Sequence, residues 1–179
     1  MTEDAGGFPK VTIDTEGPEE TRALGVFLAL YLSAGDFIAL DGELAAGKTC
    51  LVQGLAEGLG YRGPVTSPTF TLLHIYEGGR LPLYHFDAYR LASAEELEGL
   101  GYEEFFYGGG VCAVEWSGLA ADYLPDRRIR ICLSQAGAGT NTGAMSERRR
   151  ITVALYGGDE TWRKNLLTPL ERRRESSGR

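Results

Sequence analysis

The hydrophobic positions of the chain follow two periods in turn. KVTID (10–14) alternates apolar and polar side chains, the two-residue period of a half-buried strand. From Pro18 to Leu32 the period lengthens: Leu24, Phe27, Leu28, Tyr31 and Leu32 stand at i, i+3, i+4, i+7 and i+8, one face of an amphipathic helix that Gly35 ends. FIAL (37–40) is a short unbroken apolar run, the kind that a strand buried on both faces gives, and 48–59 reads as the next helix, stopped by Gly60. TFTLLHIY (69–76) and LPLYHFD (81–87) flank EGGR (77–80) and predict a hairpin.

Farther on, Ser93 with Glu96 three residues later predicts a capping box opening a short helix through Leu100. VCAVE (111–115) is a second buried-strand run; RIRICL (128–133) and RRITVAL (149–155) predict late strands. Between these two, the segment 135–147, rich in Gly, Ala, Thr and Ser, reads as a mobile loop, and 159–170 as a last helix before a frayed tail, ERRRESSGR. Early alternation of strands and helices with an inserted hairpin predicts the α/β class: a three-layer sandwich around a mixed, mostly parallel sheet. The expected layout is one domain over 1–158, followed by a C-terminal helix and basic tail over 159–179.

The join between FIAL and its helix carries the first chemistry. Residues 42–49 read GELAAGKT, with Gly42, Gly47, Lys48 and Thr49 on the G-x-x-x-x-G-K-[ST] pattern of a phosphate-binding loop, in the strand-to-helix context that this loop needs. The fold expected is therefore P-loop NTPase-like. Main-chain amides of Glu43, Leu44, Ala45, Ala46, Gly47, Lys48, Thr49 and Cys50 are the predicted nucleotide-binding positions, helped by the positive end of the helix. The Lys48 ammonium would reach the terminal phosphates, and a charge-assisted bond of about 1.5–3 kcal/mol makes its loss worth about one to two orders of magnitude in affinity. The Thr49 hydroxyl would take one position on Mg²⁺, a metal that also wants a carboxylate from a neighbouring strand end.

Two strand ends offer one. Glu115 closes VCAV and is the preferred metal-side acid; Asp87 closes LPLYHF and would hold a metal-bound water or orient the attacking one. Ser67, Pro68 and Thr69 put two hydroxyls around a stiff residue, which is either a plain turn into a strand or a switch-like segment approaching the γ-phosphate. Trp116 reads as a packing or shielding residue beside the site, and His74 and His85 as packed or hydrogen-bonded strand residues.

Composition narrows this picture. A net charge of −7 argues against broad affinity for nucleic acid, although Arg127–Arg128, Arg148–Arg149–Arg150 and Arg172–Arg173–Arg174 form local basic clusters. Three cysteines without a C-x-x-C pair point away from a disulfide framework or zinc site and towards reduced thiols. With neither a signal segment nor an apolar run near 18 residues, a cytoplasmic location without membrane contact is expected. No guanine-reading N-K-x-D is present, which disfavours a small GTP switch.

Taken together, GELAAGKT, TSPTFTLLHIYEGGRLPLYHFDAYRL, EELEGLGYEEFF and VCAVEW resemble the bacterial TsaE (YjeE) family over about residues 11–155. The resemblance implies a small ATPase of tRNA threonylcarbamoyladenosine (t6A) biosynthesis, acting with the TsaB–TsaD pair, touching tRNA only through that complex and hydrolysing ATP slowly. It implies that Ser67, Pro68 and Thr69 are switch-like, that Thr49 and Glu115 serve Mg²⁺, that Asp87 serves hydrolysis and that Trp116 flanks the site. Lys48, Asp87 and Glu115 are then the catalytic set. Thr15, Glu19 and Arg149 are suggested for adenine. Ala45 stands where the family loop has glycine, and Cys50 where it often has threonine. A small-molecule kinase with 135–147 and Arg148–Arg150 as a lid is the alternative, as is a nucleotide-dependent binding module.

Overall fold

The computed structural model describes residues 8–93, 95–136 and 147–177. Its centre is the pair of apolar runs. FIAL begins β2 (Phe37–Gly42) and VCAVE is β5 (Val111–Glu115); every residue of β5 is buried, and β2 and β5 run parallel. Around them lie β1 (Lys10–Thr15), β3 (Leu73–Tyr76), β4 (Leu83–Asp87), β6 (Arg128–Gln135) and β7 (Arg149–Tyr156), in one seven-stranded sheet of order β1-β7-β6-β2-β5-β4-β3. The pairs β6/β2, β2/β5 and β5/β4 are parallel, while β1/β7, β7/β6 and β4/β3 are antiparallel. Five of the seven strands thus point the same way, giving the mixed, mostly parallel sheet expected.

The pleat sends alternate side chains to two separate cores. Ile38, Leu40, Val111 and Ala113 join a cluster under α1 (Pro18–Ala29), α2 (Lys48–Gly58) and α5 (Glu160–Ser177). Phe37, Ala39, Cys112 and Val114 face the opposite cluster, with Leu97 of α3 (Glu96–Gly99), Phe106 of α4 (Glu103–Phe106) and Ala120 of the 3₁₀ stretch Ser117–Tyr123. These are the layers of a three-layer sandwich. Helices α1 and α2 meet closely enough to demand small residues: a Cβ on Gly54 would lie 2.0 Å from the Arg22 carbonyl oxygen, and one on Gly25 2.3 Å from that of Leu51. This contact seats α2, whose first residue is Lys48. Among the described residues, no helix is long and apolar enough to cross a membrane.

Three expectations change. The strand predicted from Thr69 begins only at Leu73, because Pro68 accepts the amides of Thr71 and Leu72 in a turn (3.1 and 2.7 Å) and Leu72 takes a φ of +63° that breaks the extended run. The capping box does not form: α3 begins at Glu96 without a side-chain cap, and the Glu96 carboxylate instead accepts the Ala92 amide at 3.3 Å. The segment ERRRESS is helical, continuing α5 to Ser177 beyond Pro169, while Leu166, Leu167 and Leu170 bury the earlier turns. Of the proposed 135–147 loop, Gln135 belongs to β6 and the Ala136 amide still bonds Arg148, whereas 137–146 lie outside the described residues.

Candidate functional site

At the carboxyl ends of β2, β4 and β5 a cleft of about 370 Å³ opens, where parallel α/β sheets place their ligands. One wall is the loop after β2. Its turn is made by left-handed residues: Gly42 (φ +150°), Ala45 (φ +61°) and Gly47 (φ +102°), the last serving as the N-cap of α2. Gly42 is also sterically required, since a Cβ there would sit 2.4 Å from the Leu133 carbonyl oxygen. Ala45 thus holds a conformation that alanine takes at a cost. The Arg149 guanidinium clamps this turn from outside, donating to the carbonyls of Ala46 (3.1 Å) and Ala45 (3.3 Å). Turned this way, the loop leads into α2, whose first amides have no carbonyl partner within the helix.

Lys48 is buried at 4% exposure, and its Nζ donates to the Gly42 and Glu43 carbonyls (2.8 and 2.9 Å) while lying 3.7 Å above the Trp116 ring. Burial lowers its pKa from the usual ammonium range, against the opposing pull of Glu115, Asp87 and Asp41. Trp116 reaches this position through a left-handed turn (φ +59°). The Asp41 carboxylate supports the turn by accepting the Ser117 hydroxyl at 2.9 Å and the Gly118 amide at 3.0 Å.

Opposite the loop stand the two acids, aligned by register: Asp87 pairs with Glu115 across β4 and β5. Both are buried, at 3% exposure. Glu115 Oε1 accepts the Thr49 hydroxyl at 2.8 Å and lies 2.9 Å from His85 Nε2. Asp87 Oδ2 accepts the hydroxyls of Ser67 and Thr69, each at 2.7 Å, and Oδ1 accepts the Tyr89 amide at 3.0 Å. The serine and threonine around Pro68 are thus drawn onto the second acid, which explains why this segment turns away from the strand. Thr49 and Glu115 offer adjacent hard oxygens at the start of α2, a donor pair that suits Mg²⁺ sharing its remaining positions with phosphates and water. No group of three or more His, Cys, Asp or Glu gathers among the described residues, so a cage of soft or nitrogen ligands is not offered there.

The predicted residues converge. Leu44 through Cys50, Ser67, Thr69, Asp87, Glu115 and Trp116 line the cleft; Glu43 contributes its carbonyl to Lys48, and Pro68 shapes the turn from behind. Cys50 donates its thiol to the Pro18 carbonyl at 3.1 Å, and burial raises its pKa. Thr15, Glu19 and Arg149 do not line the cleft: Thr15 is buried against the Thr21 hydroxyl at 2.9 Å, and Arg149 acts on the loop's carbonyls. Tyr89, which lines the cleft, is the side chain that sequence reasoning passed over; His85, expected to be a packed or hydrogen-bonded strand residue, is buried and touches Glu115. The signal for His85 was present in HFD, because residues two apart on a strand share a face.

Comparison with known proteins gives the chain its relatives. The family model described as "Threonylcarbamoyl adenosine biosynthesis protein TsaE" matches residues 15–143. The tRNA threonylcarbamoyladenosine biosynthesis protein TsaE of Bacillus subtilis is 47% identical over 143 residues, covering 80% of this chain and 84% of its own. The protein of that name from Treponema pallidum is 46% identical over 76% of this chain and 94% of its own. The crystal structure of Bacillus subtilis YdiB superposes with a TM-score of 0.77 at 34% identity, covering 94% of this chain and 99% of that one. With the loop 42–49, the paired acids and the Ser67–Thr69 turn all within the matched span, this chain belongs to the TsaE family.

Proposed function

We propose that this protein binds ATP with Mg²⁺ in the cleft and hydrolyses it slowly, as the ATPase of the t6A-forming machinery that works with TsaB and TsaD in the cytoplasm. The observation that carries the reading is the Thr49 hydroxyl held at 2.8 Å to Glu115, at the start of the phosphate-loop helix and in register with Asp87. Family membership carries the link to t6A, since relatives bear that name.

Each side chain then has a task. Loop and helix amides take the phosphate oxygens, and Lys48 exchanges the Gly42 and Glu43 carbonyls for the terminal phosphates. Thr49 and Glu115 would hold Mg²⁺, which when bound would supply neutralisation of the phosphate charge. Ser67 and Thr69 now occupy Asp87 Oδ2; when they turn to the γ-phosphate, that oxygen is released to accept a proton from water. The water oxygen bonds to the γ-phosphorus, the bond to the β-γ bridging oxygen breaks, and ADP leaves. Among the described residues no arginine lines the cleft, so a second cation for the transition-state charge is the part assigned to a partner.

The kinase alternative needed Arg148–Arg150 as a lid. Arg148 pairs with Glu16, Arg150 with Asp14 and Arg149 with the loop, so their positions lend it no support. Depletion of the protein tests the pathway: t6A in tRNAs reading A-starting codons falls if the proposal holds, and unchanged t6A by mass spectrometry refutes it.

A further inference from the structure

One buried titratable side chain next to the site has no task in the scheme above. His85 lies on β4 at 0% exposure, between Leu83 and Asp87 on the same face of the strand. Across the parallel pair its neighbour is Ala113, whose small side chain leaves room for an imidazole to lie over β5 and reach Glu115. The Tyr76 ring, 6.2 Å away between centroids, closes the outer side. Nε2 sits 2.9 Å from Glu115 Oε1, whereas Nδ1 is buried with no partner. A ring serving only to fill this space would be replaced at lower cost by an apolar one, because an unpartnered buried nitrogen is unfavourable. The arrangement also fixes the tautomer: facing a carboxylate, Nε2 carries the proton and donates it.

Among the described residues, both hydrogen bonds to Glu115 fall on Oε1, one from Thr49 at the start of α2 and one from His85 on β4. Donors from two elements pin that oxygen, and Glu115 lines the cleft. We infer that His85 is a positioning residue: its Nε2–H holds the Glu115 carboxylate in the orientation that serves Mg²⁺ and the phosphates. This rests on the ATPase reading proposed above. A second donor behind a metal carboxylate sets its angle, and loss of such a donor costs about tenfold or more in metal affinity or activity.

Two measurements test it. In ligand-free protein labelled with ¹⁵N-histidine, long-range ¹H–¹⁵N spectra report the tautomer; the chain has two histidines, so a His74→Gln variant assigns the signals. A slowly exchanging Nε2–H on His85 is expected, and an Nδ1–H tautomer would overturn the inference whether or not any variant folds. Then His85→Phe, which fills the ring's space without the donor, is compared with His85→Gln, whose amide restores an N–H. The phenylalanine variant is expected to need about tenfold more Mg²⁺ for half-maximal ATP turnover, to bind ADP without Mg²⁺ within about twofold of wild type, and to be largely rescued by glutamine. A phenylalanine variant with wild-type Mg²⁺ dependence, or a glutamine variant no better than phenylalanine, overturns the role of His85 alone. Wild-type protein that neither binds nor hydrolyses ATP overturns the ATPase reading and this inference together.

Discussion

Ala45→Gly isolates the backbone of the loop between β2 and α2. Ala45 holds a φ of +61° inside the turn, between Gly42 and the N-cap Gly47. The left-handed region costs an L-residue about 1–2 kcal/mol, and glycine removes that strain. Glycine also enlarges the unfolded ensemble, which takes back about 0.4–1 kcal/mol. At the midpoints of these ranges the difference leaves roughly 0.8 kcal/mol of net stabilisation, or about 2–3 °C in melting temperature for a chain of this size. Urea titration followed by circular dichroism, with Ala45→Val alongside, reads both signs. The branched side chain is expected to destabilise by at least about 1 kcal/mol, because it tolerates positive φ less well than alanine. A glycine variant less stable than wild type, or a valine variant equal to it, would refute the claim that this position carries strain.

Other expectations follow from single contacts. Arg149→Ala removes the clamp on the Ala45 and Ala46 carbonyls and is expected to cost about 1 kcal/mol, equal to about fivefold in ATP affinity when it all falls on the loop, read by nucleotide fluorescence. Gly54→Ala places a Cβ against the Arg22 carbonyl and is expected to lose about 1–3 kcal/mol in urea unfolding, since backbone cannot yield as a side chain does. Complete burial pushes the Cys112 thiol well above its usual range, so alkylation at pH 8 should spare it in the folded protein and reach it in denaturant. Modification of Cys112 as fast as of Cys132 in native protein would contradict that burial.

Much of the site was legible because its parts are local or periodic. The glycine-lysine motif of 42–49 is contiguous, and two buried runs ending in Asp87 and Glu115 needed only parallel pairing to bring the acids side by side. What escaped depends on partners distant in sequence. The turn at Pro68–Leu72 replaces a strand because the Ser67 and Thr69 hydroxyls bond Asp87, about twenty residues on, in place of a ladder. Arg149 meets the loop carbonyls from β7, and no local pattern announces that contact. The φ of Ala45 is likewise set by the loop's closure on α2 and not by the residue's own preference. The last helix outran its apolar stripe because glutamate and arginine propensity continues it after the buried leucines end.

The most direct test of the account is ATP turnover by the purified protein, alone and with TsaB and TsaD, for wild type, Lys48→Ala and Glu115→Ala. Wild type should turn over slowly alone and faster with the pair, while each variant loses about 10- to 100-fold or more of the stimulated rate. Full stimulated turnover in both variants would contradict the assignment of this cleft as the site of ATP hydrolysis.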